Sequence, residues 1–331
     1  MQGIELVMES GNAMILDAFM KAHSVLESHT RALVSISGGG DSDVMLDLVE
    51  RVKGDTGCEV TYVWFDTGIE YRATKEHLDY LEDRYGIEIV RRRAEKSIPA
   101  SVREFGQPFL SKRVSENMER LQRHGFRWED EPYDALLDRY PDASSSLKWW
   151  TNGWTKIRGR PGWFDIGRNK LLKEFVIDNP PWFPISSKCC KYAKKDVAKS
   201  LCLELDIDLQ VVGLRQAEGG QRAIKGRCFF ASDSGPDKYF PLYWLGNADK
   251  ADYQKIFGIR MSNCYEVWGF RRTGCVGCPF NKDAMHDLDV AKRYEPRMVG
   301  AAEKIFKDAY EYTRMYREYR DTHGGQMVFQ I

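Results

Sequence analysis

Residues 37–42 read Ser37-Gly38-Gly39-Gly40-Asp41-Ser42. They follow a short apolar run and precede a helical pattern. Three consecutive glycines leave the backbone bare, and glycine admits positive φ, so an anion can approach the amides closely. The helix that starts near Asp41 directs its amino end at the same point, which favours phosphate. The spacing is neither the dinucleotide fingerprint G-x-G-x-x-G nor the Walker pattern, since no Gly-Lys-Ser/Thr follows. The bland alternative is a glycine-rich turn before a capped helix, with Asp41 and Ser42 as the capping residues.

A second group, Asp66-Thr67-Gly68, closes the next apolar run. A carboxylate there can take ribose hydroxyls or a magnesium ion, or can simply stabilise its own turn. The third group is sulfur. Of eight cysteines, Cys189 and Cys190 are adjacent and Cys275 and Cys278 form C-x-x-C. C-x-x-C sets two sulfurs on one side of a tight turn, a geometry that zinc uses. Cys58, Cys202, Cys228 and Cys264 lack such spacing and read as buried thiols.

The elements that must position these groups follow from periodicity. Residues 10–29 read as a helix and 32–36 as a buried strand. The next helix carries Met45, Leu48, Val49 and Val52 on its apolar face. Residues 58–68 form a strand, 74–85 a helix and 87–93 a strand. This alternation predicts an α/β fold with a parallel sheet of about five strands. Residues 100–175 lose periodicity. A helix over 190–205 and a strand over 209–213 follow, and 283–321 is helical with a break at Pro296. The expected organisation is 1–95 as the first part of the α/β domain, 96–180 as an insertion, 181–282 as the rest of the domain, and 283–331 as a helical C-terminal segment.

The 331 residues suffice for a sizeable core. Lysine plus arginine and aspartate plus glutamate each number 49, so the net charge is zero. No bulk attraction to nucleic acid or membrane follows, and any such contact must come from a local patch. No apolar run is long enough to span a bilayer. The first thirty residues lack the basic region, apolar block and cleavage site of a signal peptide, so the expected location is cytoplasmic. There, thiols serve as metal ligands or redox groups more often than as disulfides.

The loop matches S-G-G-x-D-S of the N-type ATP pyrophosphatases, the adenine nucleotide alpha-hydrolase superfamily. Together with "FDTGIEY" and "VVGLRQAEGGQR", it resembles the phosphoadenosine phosphosulfate (PAPS) reductase family, over 31–93 and 183–282. The resemblance implies the PP-loop fold of that superfamily, with pyrophosphate or its sulfate analogue held by Ser37 to Ser42. It also implies that Arg215 and Arg222 clamp phosphate or sulfate and that Glu218 orients an arginine or a metal. Tandem cysteines followed by C-x-x-C resemble the [4Fe–4S] ligand set of adenylyl-sulfate (APS) reductases, here Cys189, Cys190, Cys275 and Cys278, with zinc as the alternative.

Three departures matter. Gly40 stands where close relatives often carry lysine, which removes one phosphate contact. After Gly68 the chain reads Tyr71-Arg72-Ala73-Thr74, where the family continues aromatic-Pro-Glu-Thr. No cysteine follows Cys278, so the family's thiosulfonate-forming nucleophile is not expected. The resemblance therefore favours the phage, plasmid and DNA-phosphorothioation members. It implies an ATP- and magnesium-dependent pyrophosphatase that adenylates an acceptor for sulfur transfer, with Asp41, Ser42 and Arg215 as catalytic residues. The alternatives are a reductase of APS or PAPS using another thiol and a non-catalytic accessory protein that binds nucleotide or nucleic acid. Relatives of this kind are compatible with a homodimer. Residues 144–173 interleave Lys148, Trp149, Trp150, Trp154, Lys156, Arg158, Arg160, Trp163 and Arg168. This segment reads either as a nucleic-acid surface or as a small tryptophan core with a basic rim.

Overall fold

The computed structural model describes residues 2–154, 160–220 and 222–324. The chain divides into two compact units, residues 1–95 with 193–275 and residues 96–192 with 276–331.

The first unit is built on a six-stranded sheet. Its strands are β1 (Arg31–Ile36), β2 (Glu59–Asp66), β3 (Ile89–Arg93), β4 (Leu209–Val212), β5 (Phe229–Phe230) and β6 (Asp237–Tyr239), in the order β3-β2-β1-β4-β6-β5. Every neighbouring pair is parallel except β5 with β6. The fold is therefore the expected α/β type, with one short antiparallel strand added at an edge.

Alternation along the strands splits the core between the two faces. Val34, Ile36, Trp64 and Val211 pack with Ile15, Phe19 and Leu26 of the helix Ala13–Glu27 and with Met45, Leu48 and Val52 of the helix Gly40–Lys53. Leu33 and Val63 point the other way, onto Leu201 and Cys202 of the helix Asp196–Glu204.

Two boundaries differ from the periodicity. Gly11, at φ 68°, ends a short helix Ile4–Ser10, and Asn12 then caps Ala13–Glu27 by accepting the Met14 and Ile15 amides. The helix expected over 190–205 starts at Lys188, passes through a π-turn at Lys191–Lys195 and becomes regular only from Asp196.

The second unit is helical. Segments of 96–192 and the C-terminal helices Ala284–Ala291, Pro296–Ile305 and Lys307–His323 share one core. Phe109 and Phe175 lie 4.8 Å and 4.9 Å from Tyr312, centroid to centroid. Pro296 is the first residue of its helix, where its missing N–H costs nothing. Trp149 and Trp150 are fully buried, and the Trp150 indole N–H donates to the Glu129 carbonyl at 2.8 Å. These two tryptophans are core and cannot stack bases. Trp154 and Trp163 are 38% and 57% exposed, with Lys148 and Arg168 over their rings. Lys156 and Arg158 lie outside the described residues.

Candidate functional site

The strand order reverses at β1, whose neighbours are β2 on one side and β4 on the other. At such a switch point the loops leaving two adjacent strands diverge, and a crevice opens beyond their carboxyl ends. Both loops of interest leave from there.

The loop after β1 is held by its own serine. The Ser42 hydroxyl accepts the backbone N–H of Ser37 at 3.2 Å and of Gly39 at 3.1 Å, and it donates to the Gly39 carbonyl at 2.8 Å. Gly38 takes φ 67°, a conformation that favours glycine, and a Cβ there would also sit 2.7 Å from Thr74 Cγ2. Gly39 is the extended cap residue, and the helix begins at Gly40. Asp41 and Ser42 are therefore first-turn residues and not caps. Ser42 is buried and spends its hydroxyl shaping the loop.

The loop after β4 presses on this backbone. A Cβ on Gly213 would lie 3.1 Å from the Asp41 carbonyl oxygen, so only glycine leaves both chains in place without adjustment. Two residues on, Arg215 is buried. Its Nε donates to Asp41 Oδ1 at 3.0 Å, and its Nη1 reaches the carbonyls of Leu245 and Gly246 and the Asn247 side chain at 3.1–3.3 Å. Glu218 accepts the Arg215 amide at 3.1 Å and pairs with Arg222 Nη1 at 3.2 Å. Arg215 is thus a bolt between three segments as much as a cation at the loop, while Arg222 is the more exposed of the two arginines.

Several neighbours of the loop carried no sequence signal. Lys250, on the helix Asn247–Phe257, places Nζ 2.6 Å from Asp41 Oδ1. Tyr265 accepts the Thr273 amide at 3.0 Å, and its hydroxyl lies 3.1 Å from where a Gly39 Cβ would be. Met261 Sδ lies 2.9 Å from where a Gly40 Cβ would be. Behind the loop, Asp43 and His77 form a buried pair at 2.9 Å. Burial holds the Asp43 carboxyl above the usual carboxylate range, and His77 only partly offsets it.

At the neighbouring strand end, Asp66 Oδ1 accepts the Gly68 amide at 2.9 Å and so shapes its own turn. Thr67 points inward and donates to Glu70 at 2.6 Å, with Cys275 Sγ 3.5 Å from the threonine hydroxyl. Burial raises the Glu70 carboxyl, opposed by the Lys194 charge and the Thr67 hydroxyl.

Of the four paired cysteines, Cys275 belongs to the first unit and Cys189, Cys190 and Cys278 to the second. Cys189 and Cys190 end the helical turn Lys188–Cys190, and Gly277 at φ 60° bends the chain between Cys275 and Cys278. By donor chemistry thiols suit an iron–sulfur cluster or zinc, and Cys189 and Cys190 stand next in sequence to Lys188 and Lys191. No group of three or more His, Cys, Asp or Glu side chains is assembled for a metal among the described residues. Two concavities, of about 600 and 350 Å3, are lined wholly by second-unit residues and include none of the loop.

Residues 31–124 match the phosphoadenosine phosphosulfate reductase domain family. The matched stretch runs from β1 through β3 and past residue 93, where the sequence resemblance was expected to stop. The second expected stretch, 183–282, lies outside the matched residues. The chain is also 37% identical over 76 residues to the uncharacterized protein MJ0066 of Methanocaldococcus jannaschii, a match that takes in 23% of this chain and 15% of that protein's length. Two solved structures are similar at a TM-score of 0.40. Phosphoadenylyl-sulfate (PAPS) reductase from Candida auris, in a phosphate complex, is 13% identical, over 74% of this chain and 80% of its own. The U34-tRNA thiolase NcsA from Methanococcus maripaludis, with its [4Fe-4S] cluster, is 11% identical, over 93% and 79%. No helix among the described residues is long and apolar enough to cross a membrane.

Proposed function

We propose that this chain is an ATP pyrophosphatase, binding ATP with magnesium at residues 37–42 and adenylating an acceptor for sulfur transfer. The observation that carries the reading is the loop itself. A bare backbone at a helix amino end, shaped from within by Ser42, has two cations fixed beside it, Arg215 and Lys250. These with Asp41 sum to one positive charge at a site already favourable to anions.

The loop Gly38 to Ser42 holds the β- and γ-phosphates, with Arg222 and Glu218 at the rim and Asp66 as the carboxylate nearest the next strand end. An acceptor oxygen attacks the α-phosphorus and loses its proton to solvent. The bond from the α-phosphorus to the oxygen bridging to the β-phosphorus breaks, and that oxygen leaves with the electron pair as pyrophosphate. Magnesium, when bound with ATP, neutralises charge on the phosphates. Fixed amides and Arg215 stabilise the charge that develops on the departing group. A sulfide or thiolate donor then displaces AMP from the activated centre. Cys189, Cys190, Cys275 and Cys278 are the residues that would hold a [4Fe–4S] cluster or zinc.

Calorimetric titration of anaerobically purified protein with ATP, adenylyl sulfate and PAPS, each with magnesium, tests the reading. Preference for ATP, with pyrophosphate release on adding acceptor, supports it. Preference for a sulfonucleotide overturns it in favour of a reductase, and binding of ATP without turnover favours an accessory role. The exposed Trp154 and Trp163, each under a cation, leave a nucleic acid as one acceptor class to try.

A further inference from the structure

We infer that Lys250 is the phosphate-gripping cation of the loop, delivered from the helix Asn247–Phe257 through the gap that Gly40 leaves. The inference rests on the phosphate-loop reading above and deepens it.

The observations are spatial. Gly40 is not held in the left-handed region, so its lack of a side chain is not a conformational need of the backbone. The need is room. A Cβ on residue 40 would stand 3.0 Å from Lys250 Nζ and 2.9 Å from Met261 Sδ. Met261 fills one side of that space and the ammonium fills the other. Lys250 is largely buried, its side chain 18% exposed, and its charge is aimed at Asp41 Oδ1, 2.6 Å away in the first helical turn. Arg215 already answers Asp41 from the opposite segment. A carboxylate with two cations on one oxygen leaves surplus positive charge at the amino end of a helix. Arg215 is further committed to Leu245, Gly246 and Asn247, whereas Lys250 has three donors on a flexible stem and, among the described residues, pairs with Asp41. Lys250 is the cation that can turn from Asp41 to an incoming phosphate without breaking the fold. Its helix is seated by the same joint, because Arg215 binds the carbonyls that lead into it.

The test is binding of inorganic pyrophosphate, ATP and AMP to the full chain and to Lys250→Gln, Lys250→Arg and Gly40→Ala. Loss of a charged contact lowers affinity about 10- to 100-fold. Lys250→Gln is expected to lose that much for pyrophosphate and ATP and little for AMP, which lacks the β- and γ-phosphates. Lys250→Arg recovers part of the loss. Gly40→Ala weakens pyrophosphate binding by displacing the ammonium, and the double variant Gly40→Ala/Lys250→Gln loses no more than Lys250→Gln alone. If Lys250→Gln binds pyrophosphate as the parent does, the inference is overturned while the function stands. Equal losses for AMP and pyrophosphate overturn it too, because they mark a merely structural lysine. If Lys250→Gln does not fold, Gly40→Ala with the native lysine decides: unchanged pyrophosphate affinity overturns the inference. If the parent chain binds neither ATP nor pyrophosphate, the phosphate-loop reading fails and the inference with it.

Discussion

Arg215 is the residue at which the sequence and the structure assign different weights, and its replacement by methionine separates them. As a pure phosphate clamp it would leave stability almost unchanged when removed. The structure instead gives it an ion pair to Asp41 and contacts to two carbonyls and one side-chain amide in 245–247. Hydrogen bonds to a charged group are worth about 1.5–3 kcal/mol each. The three Nη1 contacts share two protons, so counting them as two bonds gives about 3–6 kcal/mol. Methionine preserves the buried stem, so the loss is polar and not a cavity. In a domain of this size, about 2–4 °C follow each kcal/mol, which puts the fall in melting temperature near 10 °C. Arg215→Lys keeps the charge without the fork and should fall between. The assay is calorimetric melting of parent and variants without ligand, beside ATP titration. A melting temperature within about 2 °C of the parent, together with lost ATP binding, would refute the structural role and restore the pure clamp.

Three further expectations are narrower. Gly106 has φ 107° and a Cβ there would lie 2.1 Å from the Pro184 carbonyl oxygen, so Gly106→Ala should cost about 3 kcal/mol or more, read by urea unfolding; an unshifted midpoint contradicts it. Asp43 holds its proton more tightly when folded than its ordinary value of 3.8 allows, so the folded state binds more protons just above that pH. Parent stability relative to Asp43→Asn should therefore fall as pH rises from about 4 through the raised folded value and level off above it, and parallel pH profiles for the two proteins would count against this. Anaerobically purified protein should carry about four irons and matching sulfide per chain, lost in Cys189→Ser or Cys278→Ser; recovery of zinc alone would sink the cluster and leave the alternative metal.

What the sequence makes legible is local. The strands β1, β2 and β4 are largely apolar runs closed by a glycine turn or an acid, β3 is Ile89-Val90 followed by three arginines, and each stands within two residues of its expected bounds. Strands β5 and β6 have two and three residues and no period to detect, so the added edge was not foreseeable. The loop was readable because glycine, serine and aspartate act on their own neighbours there. Asp66 was readable only as an ambiguity between a turn residue and a ligand residue, and the Gly68 amide shows its part in the turn. Tryptophan content misled in part. Composition gives Trp149 and Trp154 the same character, yet one is buried and the other exposed, because burial is decided by the helices that arrive from elsewhere.

Lys250 shows the limit most directly. In "NADKADYQK" it is one charge on an ordinary solvated helix, and no local rule marks it. It becomes notable only because the chain returns about two hundred residues after the loop and sets that helix against Gly40. The bare position was visible beforehand, and it reads as a missing cation when the loop is considered alone. In space, the room left by one residue is taken up by the charge of another. The same joint explains why Gly213 and Arg215 follow β4 at fixed distance. Gly213 lets the two strand ends close to contact, and Arg215 then spans from Asp41 to the segment that seats Lys250. Loop, clamp and lysine therefore stand or fall as one assembly. Their substitutions should be coupled in double-variant cycles, Arg215→Met with Lys250→Gln showing an interaction of about 0.5–3 kcal/mol in ATP binding. Strict additivity would mean that the two cations act on the ligand independently.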